Sequence, residues 1–196
     1  MSVERILNSV QTRLNGGVLE DFARAELLDV AELFFERSCA WRETFDVTWA
    51  ADTAQATVTL SANTRIVQLM YVGDSTQKVQ LTAATVEGES STSIAKFVEP
   101  NILLLQDGRA EEFAASAVCA MTATSLDAFP AELLVRWREG LTNGLLGRLY
   151  AIPQRPWTSE KLALWHTRLE KFSISQAQRL SARNFGSPGW RFPQFA

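Results

Sequence analysis

Apolar positions along this chain change their period twice. Near the N-terminus Ile6, Val10 and Leu14 fall four residues apart, the repeat of one helix face, and Asn15-Gly16-Gly17 ends the run. Residues 18–41 keep the helical period. Phe22, Ala25, Leu28, Ala31 and Phe35 recur at steps of three and four, and Leu27, Val30 and Phe34 widen the stripe. Glu20, Asp21, Glu32 and Glu36 fall outside it. The spacing predicts a helix that buries this stripe in a core.

From about residue 43 to 126 the period becomes two. Phe45, Val47 and Trp49 alternate with polar residues, as do the runs Thr57–Leu60 and Ile66–Leu69. Val79, Leu81, Ile102–Leu105 and the stretch AASAVCAMTAT extend the pattern. Turn-type clusters stand between them: Ala51-Asp52-Thr53, Gly73-Asp74-Ser75, Gly88-Glu89-Ser90-Ser91 and Asp107-Gly108. The prediction is a small antiparallel sheet or sandwich with one covered face per strand, and a polar, mobile loop at Glu87–Ser93.

Helical spacing then returns. Asp127-Ala128-Phe129-Pro130 reads as a helix start, with Pro130 in the first turn. Leu133, Leu134, Trp137, Leu141, Leu145 and Leu149 follow at three- and four-residue steps, and Ile152–Trp157 breaks the run. Thr158 is the expected N-cap of a last helix, roughly 40 Å long, whose stripe is Leu162, Trp165, Leu169, Phe172, Gln176 and Leu180. Gly186-Ser187-Pro188-Gly189 stops it, and WRFPQFA follows as an extended tail. The fold class is therefore α+β: N-terminal helices at 1–42, an inserted β domain at 43–126, two C-terminal helices at 127–185, and a tail at 186–196.

Composition narrows the function classes. With 196 residues, 46% hydrophobic and 21% charged, the chain is long enough for one ordinary globular core. The absence of a long apolar run, and a charged amphipathic start, give the expectation of a soluble intracellular protein with no membrane partner. Cys39 and Cys119 lie far apart, without a CxxC pair, and are expected as small buried hydrophobes. Net charge is −3, but residues 155–196 hold seven basic and two acidic side chains. An acidic body with a basic C-terminal limb suits docking on an acidic protein surface or on another copy of the chain.

No motif marks chemistry. Phosphate-loop, nucleophile-elbow and metalloprotease patterns are absent, and Gly140, Gly144 and Gly147 sit inside a helix, where they permit close packing. His166 has no neighbouring nucleophile motif, and Glu111-Glu112 reads as exposed turn charge. The expectation is no enzymatic activity, no cofactor and no metal. Trp41, Trp49, Trp137 and Trp165 lie in periodic segments and are expected in the core; Trp190 lies beyond them. The last helix carries a stripe longer than its own domain can cover. Trp165, Arg168, Lys171, Arg179 and Arg183 are therefore candidate subunit-interface residues. In the tail, Trp190, Arg191, Phe192 and Phe195 mix aromatic and basic anchors, the usual make-up of a docking peptide.

The succession of a helix, ERSCAWRETF, strands, AFPAELLVRWREGLTNGLLGRLYAIPQRPW, a long basic helix and a WRFP tail resembles head-to-tail adaptor (connector) proteins of tailed bacteriophages, of the tail tubular protein A type and the related tail-completion adaptors. The likeness spans nearly the whole chain. It implies a virion protein at the head–tail junction, assembled in the host cytoplasm as a homo-oligomeric ring, commonly of twelve copies. Its partners would be the portal protein, reached by Trp190, Arg191, Phe192 and Phe195, and a tail or nozzle protein. DNA would pass through the centre without sequence-specific binding. That family carries no catalytic residues. The alternative from the residues alone is a nucleic-acid-binding or other interaction module that uses the basic limb.

Overall fold

A computed structural model describes residues 2–15, 17–74, 80–81, 95–98, 100–105 and 112–184. The fold is α+β, with five α-helices and two antiparallel sheets among the described residues. By its contacts the chain divides into a helical unit, Met1–Ala40 with Ala131–Ala196, and a β unit, Trp41–Pro130. The tail and the Glu87–Ser93 segment lie outside the described residues.

The helical unit is organised around its fourth helix. Its elements are α1 (Ser2–Arg13), α2 (Glu20–Ser38), α3 (Ala131–Arg136), α4 (Arg138–Ala151) and α5 (Glu160–Asn184). Val3, Ile6, Leu7 and Val10 of α1 are buried, as the four-residue spacing predicts. On α2 the buried row is Ala23, Leu27, Val30, Ala31, Phe34 and Phe35. This corrects the predicted stripe: Phe22 and Ala25 are exposed and Leu28 only half-buried. The stripe was so broad that several faces fitted the same residues, and packing selected the one opposite α4.

Residues 140–147 of α4 are all buried, so this helix has neighbours on every side. Its three glycines are the reason. A β-carbon at Gly140 would lie 2.8 Å from Ser173 Cβ and 2.9 Å from Phe34 Cε2; one at Gly144 would lie 2.6 Å from Val30 Cγ1; one at Gly147 would lie 2.9 Å from Thr167 Oγ1. Helices α2 and α5 thus approach the α4 backbone itself, and alanine at these positions overpacks. The expected continuous helix from Pro130 is split at Trp137 (φ −104°, ψ 15°). Bonds from Trp137 N–H to the Leu133 carbonyl and from Leu141 N–H to the Trp137 carbonyl, both 3.0 Å, run across the break, so the apolar rows continue through it. Pro130 precedes the helix rather than occupying its first turn.

Helix α5 is about 38 Å long at 1.5 Å per residue. Its cap is Ser159, whose Oγ accepts from the Leu162 N–H at 3.4 Å, and not Thr158. The Thr158 hydroxyl instead ties the preceding loop, accepting from Arg155 N–H at 2.9 Å and donating to the Ile152 carbonyl. Near its other end α5 completes the terminus of α2. Gln178 Nε2 donates to the Arg37 carbonyl at 2.7 Å and Ser181 Oγ to the Cys39 carbonyl at 2.8 Å. Carbonyls beyond the last helical turn lack intrahelical partners, so these bonds satisfy groups that would otherwise need water.

In the β unit, one sheet has the order β1-β7-β3-β4, from Arg42–Trp49, Phe113–Ala123, Thr64–Asp74 and Gln80–Leu81; the other has the order β2-β6-β5, from Gln55–Thr57, Ile102–Leu105 and Ala95–Val98. All pairs are antiparallel. Trp49, fully buried, joins the sheets by donating from Nε1 to the Leu103 carbonyl at 3.3 Å. The alternation on β1 holds, with Val47 and Trp49 buried and Asp46 and Thr48 exposed. On β3 the buried residues Ile66, Leu69 and Val72 recur every third position. Register shifts between Ile66 and Gln68 and between Leu69 and Tyr71 insert the extra residues. Gly73 and Asp74 extend β3 instead of forming the expected turn. The predicted strand at Thr57–Leu60 ends at Thr57, and Val58 is held by N–H donation to the Asn101 carbonyl at 2.9 Å. The central strand β7 departs most from one covered face: residues 117–123 are all buried.

Candidate functional site

The surface of the helical unit concentrates the unusual features. On α5 the buried row is Ala163, His166, Ile174, Ala177 and Ser181. Of the expected stripe, Leu169 and Leu180 are half-buried, while Leu162, Trp165 and Phe172 face away from the core. Leu162 is 41% exposed, Trp165 57% and Phe172 67%, with Leu164 beside them at 56%. Trp165 is therefore no core residue. The reason is the small-residue surface of α4: with its glycines in contact, the matching face of α5 must also be short. Arg168, Lys171 and Arg179 are exposed on the same helix, and none of them forms an ion pair with another described residue. Lys161, Trp165, Arg168 and Phe172 recur at helical steps and make one mixed basic and aromatic face. Arg183 lies in the last turn of α5, with its side chain outside the described set; Trp190, Arg191, Phe192 and Phe195 lie outside it altogether.

A second face carries acidic side chains beside exposed apolar ones. At the start of α2, Leu19 (80% exposed) and Phe22 (42%) stand beside exposed Glu20, Asp21, Ala25 and Asp29. Glu20 pairs with Arg24, and Asp29 with Arg148. Leu19 and Phe22 border a mostly apolar hollow lined also by Gly17, Val18, Ile152, Trp157 and the exposed Arg155. Trp157 Nε1 is buried there without a hydrogen-bond acceptor among the described residues. The α2 stripe in the sequence hides this face, because Phe22 falls on the row predicted to be buried.

The third feature is a polar groove between α1, α4 and α5, about 1040 Å³ including its open mouth. Arg5, Ser9 and Arg13 enter from α1, and Arg138, Thr142 and Asn143 from α4. His166 closes the inner end. Its Nδ1 donates to Asn143 Oδ1 at 2.9 Å, and its ring stacks on Tyr150 at 5.6 Å with the planes 12° apart. Burial, and then the nearby Arg13 charge, hold the imidazole below its ordinary pKa, so it stays neutral and keeps a lone pair on Nε2. Elsewhere, burial pushes the Glu170 carboxyl up, against the pull of Arg148, Arg37 and Lys171. Burial also pushes the Cys119 thiol up to about 12.

Among the described residues no group of three or more His, Cys, Asp or Glu side chains is placed to hold a metal ion, and no helix is long and apolar enough to cross a membrane. Glu112 is exposed, while Glu111 lies outside the described residues. The sequence reading missed the groove. The four-residue spacing of Arg5, Ser9 and Arg13 was legible, but Arg138 and Asn143 join them only through tertiary packing. No family model and no curated protein matches this chain.

Proposed function

We propose that this chain is a structural virion protein without enzymatic activity. In this reading it is the subunit of a homo-oligomeric ring that joins the portal to the tail of a tailed bacteriophage and lets DNA pass through its centre. The observation that carries the reading is the exposed basic and aromatic face of α5. A single chain gains nothing by leaving a tryptophan, a phenylalanine and two leucines in water on one helix, and such a patch marks an association surface.

Charge complementarity supports a second copy as the occupant. A ring needs heterologous contacts, in which two different surfaces of the same subunit match. The α5 face is basic and apolar, and the α2 face presents Glu20 and Asp21 beside exposed apolar residues and a hollow that Arg155 also lines. Trp165 or Phe172 of one copy fills the hollow at Leu19 and Phe22 of the next, with Arg168 and Lys171 against Glu20 and Asp21. The order of elements along the chain, and its resemblance to head-to-tail adaptors, supply the portal and tail as partners; the aromatic tail supplies the portal contact.

The test is the mass of the full chain in solution, by light scattering and native mass spectrometry, alone and with a portal ring. Assembly, alone or on the portal, is expected, and Arg168→Glu with Lys171→Glu should weaken it with an unchanged unfolding midpoint. Adding Glu20→Lys and Asp21→Lys to the reversed protein should restore it. A chain that stays monomeric with and without portal, or charge reversals that leave assembly intact, would sink the proposal. Salt-dependent binding of short DNA by such a monomer would assign it to nucleic-acid recognition instead.

A further inference from the structure

We infer that the groove between α1, α4 and α5 is a binding site for a tetrahedral phosphate group, held by the guanidinium groups of Arg5, Arg13 and Arg138. Several observations converge on it. The three arginines line one concavity, and none of them makes a hydrogen bond or ion pair with another described residue. Arg5 and Arg13 lie one turn to either side of Ser9 on a single face of α1. The Ser9 hydroxyl also has no partner among the described residues. From α4 come the Thr142 hydroxyl and the Asn143 amide nitrogen, both from buried residues, and neither group is engaged with another described residue.

Donors outnumber acceptors in this groove. Apart from the hydroxyl oxygens of Ser9 and Thr142, the acceptors are the Glu139 carboxylate and the Nε2 of His166. A carboxylate offers two oxygens, too few for three guanidinium groups, two hydroxyls and an amide; a phosphate offers more and accepts paired bonds from arginine. Charge agrees. Three arginines and one glutamate around a neutral histidine leave a formal +2, the match for a phosphate dianion. Trp165 and Leu169 add an apolar wall to the groove. Free phosphate and a phosphate monoester present this dianion, and the diester backbone of a nucleic acid presents the same phosphoryl oxygens with one negative charge per group.

Because His166 is the single histidine of the chain, its ring signals report on the groove without assignment by mutagenesis. The full chain is titrated with sodium phosphate, and separately with sodium chloride at equal ionic strength, while the His166 imidazole is followed by NMR. Phosphate should shift the ring signals saturably and raise the His166 titration midpoint; chloride should not. Arg5→Gln and Arg138→Gln, at exposed positions without partners, should each weaken phosphate binding about tenfold or more and leave the unfolding midpoint in chloride unchanged. A short DNA oligonucleotide without a terminal phosphate separates the sources. Its failure to displace phosphate assigns the site to free phosphate or a monoester; displacement with steep salt dependence assigns it to a backbone diester. Absence of a saturable shift overturns the inference. So does a shift insensitive to both arginine variants, or displacement of phosphate by oligoglutamate at lower concentration than by phosphate itself.

Discussion

Replacing Trp165 with alanine separates folding from assembly at a single residue. A tryptophan side chain presents about 150–250 Å² for burial. With 57% of its surface exposed in the free chain, roughly 85–140 Å² remains for a neighbouring copy to cover. At about 25 cal/mol per Å² this is an upper bound of about 2–3.5 kcal/mol per contact, or a loss of about 30- to 400-fold in contact affinity. The cost to the fold is far smaller, about 1 kcal/mol or less, because an exposed helix position gains helical propensity with alanine. Trp137, only 8% exposed and packed on Phe34 at 5.7 Å, is the control: Trp137→Ala should cost about 3–5 kcal/mol in folding. Urea unfolding at a concentration where the chain is monomeric gives the folding cost, and sedimentation velocity across a concentration series gives the assembly cost. The reasoning fails if Trp165→Ala lowers folding stability as much as Trp137→Ala, or if it leaves assembly unchanged.

Three further outcomes are expected. The folded pKa of His166 lies below 6.5, so the unfolded chain takes up this proton first as pH falls. Its contribution to stability is present above pH 6.5, is lost between 6.5 and the folded value, and then levels off; urea midpoints of the parent and of His166→Gln should converge across that window. Cys119, buried and with its thiol pushed up to about 12, should react with a thiol reagent at neutral pH only at the rate of global unfolding, whereas half-buried Cys39 reacts in the native state. Deleting residues 187–196, with Trp190, Arg191, Phe192 and Phe195, should leave the unfolding transition in place and abolish attachment to portal rings; attachment by the truncated chain would refute the docking role.

What the sequence by itself determined was local. Four-residue spacing in α1, alternation in β1, the breaker Ile152–Trp157 and the glycines of α4 each follow from a neighbourhood of a few residues, and each stands in the structure. The α+β class follows from them, because a change of hydrophobic period is readable without knowing what packs on what. Tertiary structure decided which side of an element is inside. Both α2 and α5 carry apolar residues over a wide arc, so several orientations satisfied the pattern, and α4 chose among them. Its glycines bring α5 in on a row of small residues, and volume conservation in a packed interior then turns Trp165 and Phe172 outward. The groove had the same origin. Arg5, Ser9 and Arg13 form a row that any helix would make, but Arg138, Thr142, Asn143 and His166 reach it only when three helices distant in sequence pack together.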